Sequence, residues 1–307
     1  MIKSKNTTYL KFVERYSQST QTLRRPWAYV LHTRIGILFA ISRKDKLLSD
    51  IMQHQEFEPP EELQNIIKCF WYTSRDFGEL QSNFEILPDS YAEIVFHFGS
   101  ACSISYNGVL QPLPSPFLMG LLDHPVFLNT QSRLEVIGIR CFPWTVFNLL
   151  GLSPAKDSVH IFKHPISDLQ STLEKLIHAD GIDKAIVELQ QYLLNAQRIA
   201  VDTVLFKAGA AMREANGTMR VSDVATAANV TVRTLERRFK QSSGYTVKDV
   251  SGLIRFEQIR NRLWLYPGSN IAALAQELGY TDQSHLCKEF KRYSGTTPTA
   301  FCKKRKQ

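Results

Sequence analysis

Residues Ile271–Pro298 read IAALAQELGYTDQSHLCKEFKRYSGTTP, and this stretch decides the fold of the last third of the chain. Ile271, Leu274, Ala275 and Leu278 recur at helical spacing, and Gly279 supplies a position free to take a positive φ. Asp282 can cap a second helix whose apolar stripe is Leu286 and Phe290, with Tyr293 beyond. Small Ala275 sits where two helices must approach closely. Gln283, Ser284, His285 and Lys288 are left facing away from the stripe. They carry hydrogen-bonding groups of the length needed to reach base edges in a major groove.

The pattern occurs twice. Upstream, Val221–Thr246 reads VSDVATAANVTVRTLERRFKQSSGYT. Val221, Ala225 and Asn229 precede Ile271, Ala275 and Gly279 by 50 residues, and Leu235, Phe239, Lys240 and Gly244 precede Leu286, Phe290, Lys291 and Gly295 by 51. The second copy therefore has one extra residue in its turn. Asn229 suits a turn because Asn tolerates the left-handed region better than most residues. An internal repeat with matched core, turn and cap positions predicts two helix–turn–helix units. Between them, Val247 to Leu265 predicts one long helix, ended by Tyr266-Pro267-Gly268, with Arg255, Arg260 and Arg262 polar or phosphate-facing.

The paired units, the helix between them and the ending G-Y-x-D-Q-x-H-L…F-K…G-T-T-P resemble the DNA-binding domain of AraC/XylS-type transcription regulators over residues 203–305. The resemblance implies that the second helix of each unit enters successive major-groove segments on one face of the duplex. Position by position, it assigns base reading to Arg233, Glu236 and Arg237 in the first unit and to Gln283, Ser284, His285 and Lys288 in the second. Arg238, Lys291 and Arg292 read better as phosphate contacts or solvated groups.

Charge follows the same division. Residues 1–51 carry a net +7, residues 52–202 a net −9 and residues 203–307 a net +10. A basic block behind an acidic middle suits a double-stranded DNA reader fused to a module that does not bind DNA. The five cysteines, Cys69, Cys102, Cys141, Cys287 and Cys302, are odd in number and form no C-x-x-C. That pattern predicts reduced thiols in a cytoplasmic protein, with Cys287 a packing residue. No stretch reaches the ~18 apolar residues of a membrane span. The nearest, Ile35–Ile41, is short, bracketed by Arg34 and Arg43, and too far from the terminus for a secretory signal.

Residues 1–51 are basic and weakly patterned, with a short helix expected over Asn6–Tyr16. Two readings stay open for them: an upstream extension ahead of a natural start at Met52, or a basic arm adding phosphate contacts. From Glu61 to Trp71 the spacing of Leu63, Ile66, Ile67 and Phe70 predicts a short helix leading into a strand. Short strands are then predicted at Phe84–Leu87, Ala92–Phe98, Ala101–Tyr106, Phe117–Leu121, Pro125–Asn129 and Leu134–Phe142. Asn107-Gly108 is a hairpin signal. In the last strand, Leu134, Val136 and Ile139 alternate with Glu135 and Arg140 as a half-buried strand would. Pro143 to Leu150 predicts a helix ending at Gly151, and residues 165–200 a helical pair broken at Asp180-Gly181. The fold class is thus α+β with two domains. Residues 52–200 form an antiparallel, β-barrel-like module with helices, and residues 201–307 an all-α domain with two helix–turn–helix units.

Ile86–Asp89 (I-L-P-D), Glu93–Gly99 (E-I-V-F-H-F-G) and Gly138–Pro143 (G-I-R-C-F-P) resemble a domain of unknown function often found ahead of AraC-type DNA-binding domains. Ser90 stands where that family usually has Gly. The resemblance implies a sensor or regulatory module.

Enzymatic motifs are lacking: there is no G-x-S-x-G, no phosphate-cradling glycine loop and no H-E-x-x-H. No cofactor is expected. His160 and His164 lie four apart but beside Pro165 and without helical patterning, and His97 has no nearby second ligand, so no metal is expected either. Glu93, His97 and Arg140 are candidates to line a small-molecule pocket, with satisfied or exposed strand positions as the alternative. The reading is a sequence-specific transcription regulator whose N-terminal module responds to a small-molecule effector or forms a homodimer. RNA polymerase contact is implied by the resemblance, and repression by occlusion is equally open. The rival readings are a DNA-binding domain fused to a small-molecule-converting enzyme, and a ligand-independent regulator whose barrel only dimerises.

Overall fold

The strands Ile67–Asp76, Ala92–Gly99 and Arg133–Cys141 are apolar at both parities, in runs such as Phe70-Trp71-Tyr72 and Ile94-Val95-Phe96. Such runs must be covered on both faces, and they are. The computed structural model describes residues 53–77, 82–106, 109–154, 159–179, 181–195 and 202–306. The expected helix at Asn6–Tyr16, the apolar stretch Ile35–Ile41, the Asn107-Gly108 turn and most of the domain junction lie outside these residues.

Among the described residues, ten antiparallel strands form two sheets. They are β1 (Gln53–Phe57), β2 (Ile67–Asp76), β3 (Ser82–Ile86), β4 (Ala92–Gly99), β5 (Cys102–Tyr106), β6 (Val109–Pro112), β7 (Phe117–Met119), β8 (Val126–Thr130), β9 (Arg133–Cys141) and β10 (Val159–His160). One sheet has the order β1-β2-β9-β4-β7-β10 and the other β3-β8-β5-β6. The barrel-like module is therefore two open sheets enclosing a core, with no closed ring. Trp71, Val95, Phe117 and Val136 of the larger sheet meet Phe84, Ile86, Ile104 and Leu128 of the smaller.

The outer face of the larger sheet is covered by helices. Helix α1 (Val146–Leu149) follows β9, and α2 (Gln170–Ala179) and α3 (Ile182–Asn195) form the expected hairpin. Phe70, Ile94, Phe96, Ile137 and Ile139 pack there against Leu173, Ile186, Leu189 and Leu193. The half-buried reading of β9 is overturned on both faces: Glu135, beneath these helices, is 2% exposed, and Arg140, on the opposite face, is 1% exposed. Glu135 faces the helices and is satisfied by the hydroxyl of Tyr72 (2.5 Å) and by Arg133 (3.2 Å). The short helix expected before Trp71 is also corrected. Only a 3-10 turn, Glu61–Leu63, forms, because Ile67 and Phe70 pair with β9 instead.

The C-terminal domain comprises α4 (Thr203–Glu214), α5 (Val221–Ala227), α6 (Val232–Ser243), α7 (Val247–Leu265), α8 (Ile271–Glu277), α9 (Gln283–Ser294) and α10 (Pro298–Lys306). The two turns take the expected left-handed conformation, Asn229 at φ 56° and Gly279 at φ 70°. Ala225 and Ala275 are buried at the helix crossings. This core is continuous with the sandwich, since Leu87, Leu121 and Trp144 belong to the same buried cluster as Phe239, Phe256 and Phe290. Trp144 lies against Gly209 of α4, where a Cβ would fall 2.1 Å from the indole.

Gly138 has a comparable role inside the sheet. It pairs with Trp71 across β2 and β9, and a Cβ there would lie 2.0 Å from the indole ring. Gly138→Ala should therefore displace Trp71 and cost roughly 1–3 kcal/mol. A drop in the urea midpoint measures this, and an unchanged midpoint would show that the indole has room to move.

Candidate nucleic-acid interface

Each second helix of the repeat is fixed at both ends by its own sequence. Thr231 caps α6 by accepting the Thr234 N–H (3.2 Å), and Asp282 caps α9 by accepting the His285 N–H (2.8 Å). Gly244 and Gly295 end the helices in the left-handed conformation, at φ 77° and 70°. Leu235 and Phe239 anchor α6 in the core, and Leu286, Phe290 and Tyr293 anchor α9.

The opposite faces are open. Arg233 and Arg237 are exposed on α6, and Gln283, Ser284, His285 and Lys288 on α9. The 51-residue offset makes Arg233 equivalent to Ser284 and Arg237 to Lys288, so each helix presents the same ridge of residues four apart. Val232 occupies the place of Gln283 and is 42% exposed. Sequence reasoning passed over Val232 as apolar, although the offset points to it, and apolar groups at such positions can meet a thymine methyl. Glu236 departs from the ridge. It is half-buried and its carboxylate accepts the Val247 N–H (3.3 Å) at the start of α7. His285 meets the Tyr280 ring edge-on at 5.3 Å.

Among the flanking charges, Arg238 pairs with Asp202, the cap of α4, at 2.7 Å. Lys291 and Arg292 stay exposed, and Arg292 lies over the Tyr293 ring (4.9 Å). Arg260 corrects the expectation of a phosphate-facing residue. It is 1% exposed and donates to the Pro88 carbonyl of the sandwich (3.0 Å).

That contact belongs to a hub at Leu87–Tyr91. Arg140 donates to Asp89 (2.5 Å) and Glu93 (2.8 Å), and all three are buried. Burial alone would lower the Arg140 pKa, but Asp89, Glu93 and Glu257 more than offset it and hold it well above its usual value. Ser90 donates to Glu257 of α7 (2.9 Å) and accepts from Arg213 of α4 at its hydroxyl and its carbonyl (both 3.1 Å). The Tyr91 ring lies between the guanidinium groups of Arg140 (4.3 Å) and Arg213 (4.1 Å). The residue that departs from the resemblance, Ser90, is thus among those that tie the two domains.

Of the candidate pocket residues, the structure brings Glu93 and Arg140 together as cross-strand partners. His97 points to the same face of β4 four residues on, roughly 13 Å along the strand. It is half-buried, bonds the Leu113 carbonyl through Nε2 (3.2 Å), and burial lowers its pKa against the effect of its backbone bonds.

The chain is similar to two known domain families and to several solved structures. Residues 224–304 match a helix-turn-helix domain family, and residues 55–160 match a domain of unknown function (DUF6597). No curated protein matches by sequence. Among solved structures, ToxT from Vibrio cholerae aligns over 83% of this chain and 98% of its own, at 12% identity and a TM-score of 0.41. An AraC-type transcriptional regulator from Chromobacterium violaceum aligns over 34% of this chain and 93% of its own, at 23% identity and a TM-score of 0.31. The DNA-binding domain of AdpA, solved with a target DNA, aligns over 33% and 91%, at 22% identity and a TM-score of 0.30. Residues 224–304 thus carry a helix-turn-helix domain, behind a DUF6597 domain at residues 55–160.

Proposed function

We propose that this chain is an AraC-type transcription regulator that reads two successive major-groove segments, and that its N-terminal sandwich controls how the two reading helices are held. The observation that carries the reading is the matched ridge on α6 and α9. Arg233 and Arg237 in one unit, and Gln283, Ser284, His285 and Lys288 in the other, remain uncovered while the sandwich grips α4, α7 and α10. Helix α7, 19 residues long, spans about 28 Å. That is close to the ~34 Å of one duplex turn. One chain can then reach two groove segments without a palindromic site. Glu236 is assigned to the α7 terminus and not to base reading.

Control through the sandwich is supported by the shared core and by two clefts at the junction. One, of about 440 Å³, lies between Leu87, Pro125 and Phe127 and the helical residues Trp264, Gly295 and Phe301. The other, of about 570 Å³, lies between Trp144 and Asn148 and the helical residues Asp202, Leu205, Arg238 and Gln241. Both have the size of small-molecule sites. An effector or a second copy of the chain that altered the clamp would shift DNA affinity by a coupling of ~1–3 kcal/mol. Promoter output then follows from contact with RNA polymerase or from occlusion. A sandwich that performs catalysis is less favoured, because Asp89 and Glu93 are engaged by Arg140 instead of facing a substrate.

Selection from a random DNA pool, followed by footprinting, should give two protected patches about one turn apart on one face. Failure to enrich any sequence would refute the reading. Arg237→Ala should relax preference at one position and cost about 1–3 kcal/mol there. Lys291→Ala should instead weaken all sequences alike and flatten the salt dependence. A base-specific effect of Lys291→Ala would reverse that division. Arg213→Ala, which removes the donor to Ser90 and one of the two guanidinium groups at Tyr91, should weaken the coupling of the domains, so that calorimetry of the full chain resolves two thermal transitions where the parent shows one. A single shared transition in the variant would show that the remaining contacts couple them without Arg213.

A further inference from the structure

Arg255 stands midway along α7, and its guanidinium is shared between the two reading units. Nη1 donates to the Gly217 carbonyl (2.8 Å) in the turn between α4 and α5. Nη2 reaches both carboxylate oxygens of Glu289 on α9 (3.3 and 3.5 Å). Tyr280, in the turn of the second unit, donates its hydroxyl to the same Glu289 Oε1 (2.5 Å), and Arg255 lies over its ring at 5.2 Å. The Tyr280 ring in turn meets His285, and Glu289 follows Lys288 directly. A continuous strap therefore runs from the first unit to the open ridge of the second.

The surroundings stiffen it. Gly217 is buried at φ 74°, and a Cβ there would lie 2.4 Å from the Ser251 carbonyl, so the turn is pressed onto α7. At Gly252, nearly one turn before Arg255, a Cβ would meet the Tyr293 hydroxyl at 2.9 Å, so α7 and α9 also touch closely. The Arg255 and Glu289 side chains are only 18% and 17% exposed, which limits screening of the pair. The strap has no copy in the first unit. The repeat equivalent of Glu289 is Arg238, which turns to Asp202 ahead of α4 and not to α7.

We propose that Arg255 is the positioning residue that fixes α9 against the first unit, and so determines which spacing between two DNA half-sites the protein accepts. It touches no base and acts through Glu289 and Tyr280. The inference rests on the DNA-reading assignment above. With the strap cut, α8 and α9 stay joined to α7 by the apolar core, which is less directional than a guanidinium held by the Gly217 carbonyl, the Glu289 carboxylate and the Tyr280 ring. The second unit can then roll to meet a displaced groove.

The test uses the full chain as Arg255→Met, Arg255→Lys and Glu289→Gln, with the DNA site selected by the parent protein. Probes carry that site unchanged, or with one base pair inserted or removed between the half-sites. Each change moves the second half-site by about 3.4 Å and roughly a tenth of a turn. The parent should bind the altered probes about tenfold or more weakly. Arg255→Met and Glu289→Gln should keep the base preferences of the first half-site and cut the spacing discrimination to about threefold or less, while Arg255→Lys restores part of it. Unchanged spacing discrimination in a folded Arg255→Met or Glu289→Gln protein would overturn the proposal. If Arg255→Met fails to fold, Glu289→Gln decides.

A second readout needs no DNA. Spin labels at residues 241 and 291, both exposed, in a Cys287→Ser background report the separation of α6 and α9. The distance distribution should broaden in Arg255→Met and Glu289→Gln, and an unchanged distribution would overturn the strap. A parent protein that selects no DNA would sink the DNA-reading assignment, while the distance measurement still judges the strap.

Discussion

A fully buried guanidinium, that of Arg140, constrains more of this molecule than any other group. A charge at that depth must be paired, and removing one partner of such a pair costs far more than the pair contributes. Asp89 and Glu93 supply the carboxylates, one from the turn after β3 and one from β4. Once Asp89 is held, the backbone on either side of it is held too. The Pro88 carbonyl, the Ser90 hydroxyl and the Tyr91 ring then face outward in fixed positions, and Arg260, Glu257 and Arg213 of the helical domain meet them. Since buried ion pairs replaced by apolar groups often leave stability unchanged, the gain here is one of orientation.

The two domains share a buried cluster as well as this hub. Trp144 enters the space left by Gly209 and meets Phe239 edge-on at 5.6 Å, while the Tyr245 hydroxyl donates to the Leu121 carbonyl (2.7 Å). Phe239 is the core anchor of α6 and lies two residues from Arg237. Packing at the junction therefore reaches the open ridge through one side chain. Close-packed interiors transmit such displacements because they have little free volume in which to absorb them.

The helical domain was legible in the sequence because its determinants are local. Capping, turn and stripe positions all lie within about four residues of one another, and the repeat supplied an independent check on each. The sandwich was legible as strands but not as layers. Glu135 and Arg140 look like the wet face of a strand, and only the helices of residues 170–195, which cover one side, and the Asp89 turn, on the other, show that neither is wet. Nothing near Arg260 in the sequence announces a partner 172 residues away. Glu236 has a partner that the repeat pattern does not show. Its helical position fits a reading ridge, yet an unsatisfied N–H at the start of α7 lies within its reach and takes the carboxylate first.

Helix α7 joins these observations. At about 100° per residue, Glu257 and Arg260 lie roughly 200° and 140° around the helix from Arg255. The sandwich therefore holds one side of α7 through Ser90 and Pro88, and the strap to Gly217 and Glu289 leaves from the other. A helix of this length moves as a rigid rod, so a displacement imposed on the first side is delivered to the second without needing any change within α7. The second reading unit has no cap-to-helix tie like that between Arg238 and Asp202, and depends on α7 for its polar anchor. The ridge on α9 is thus linked to the sandwich through α7, as the ridge on α6 is linked to it through Trp144 and Phe239.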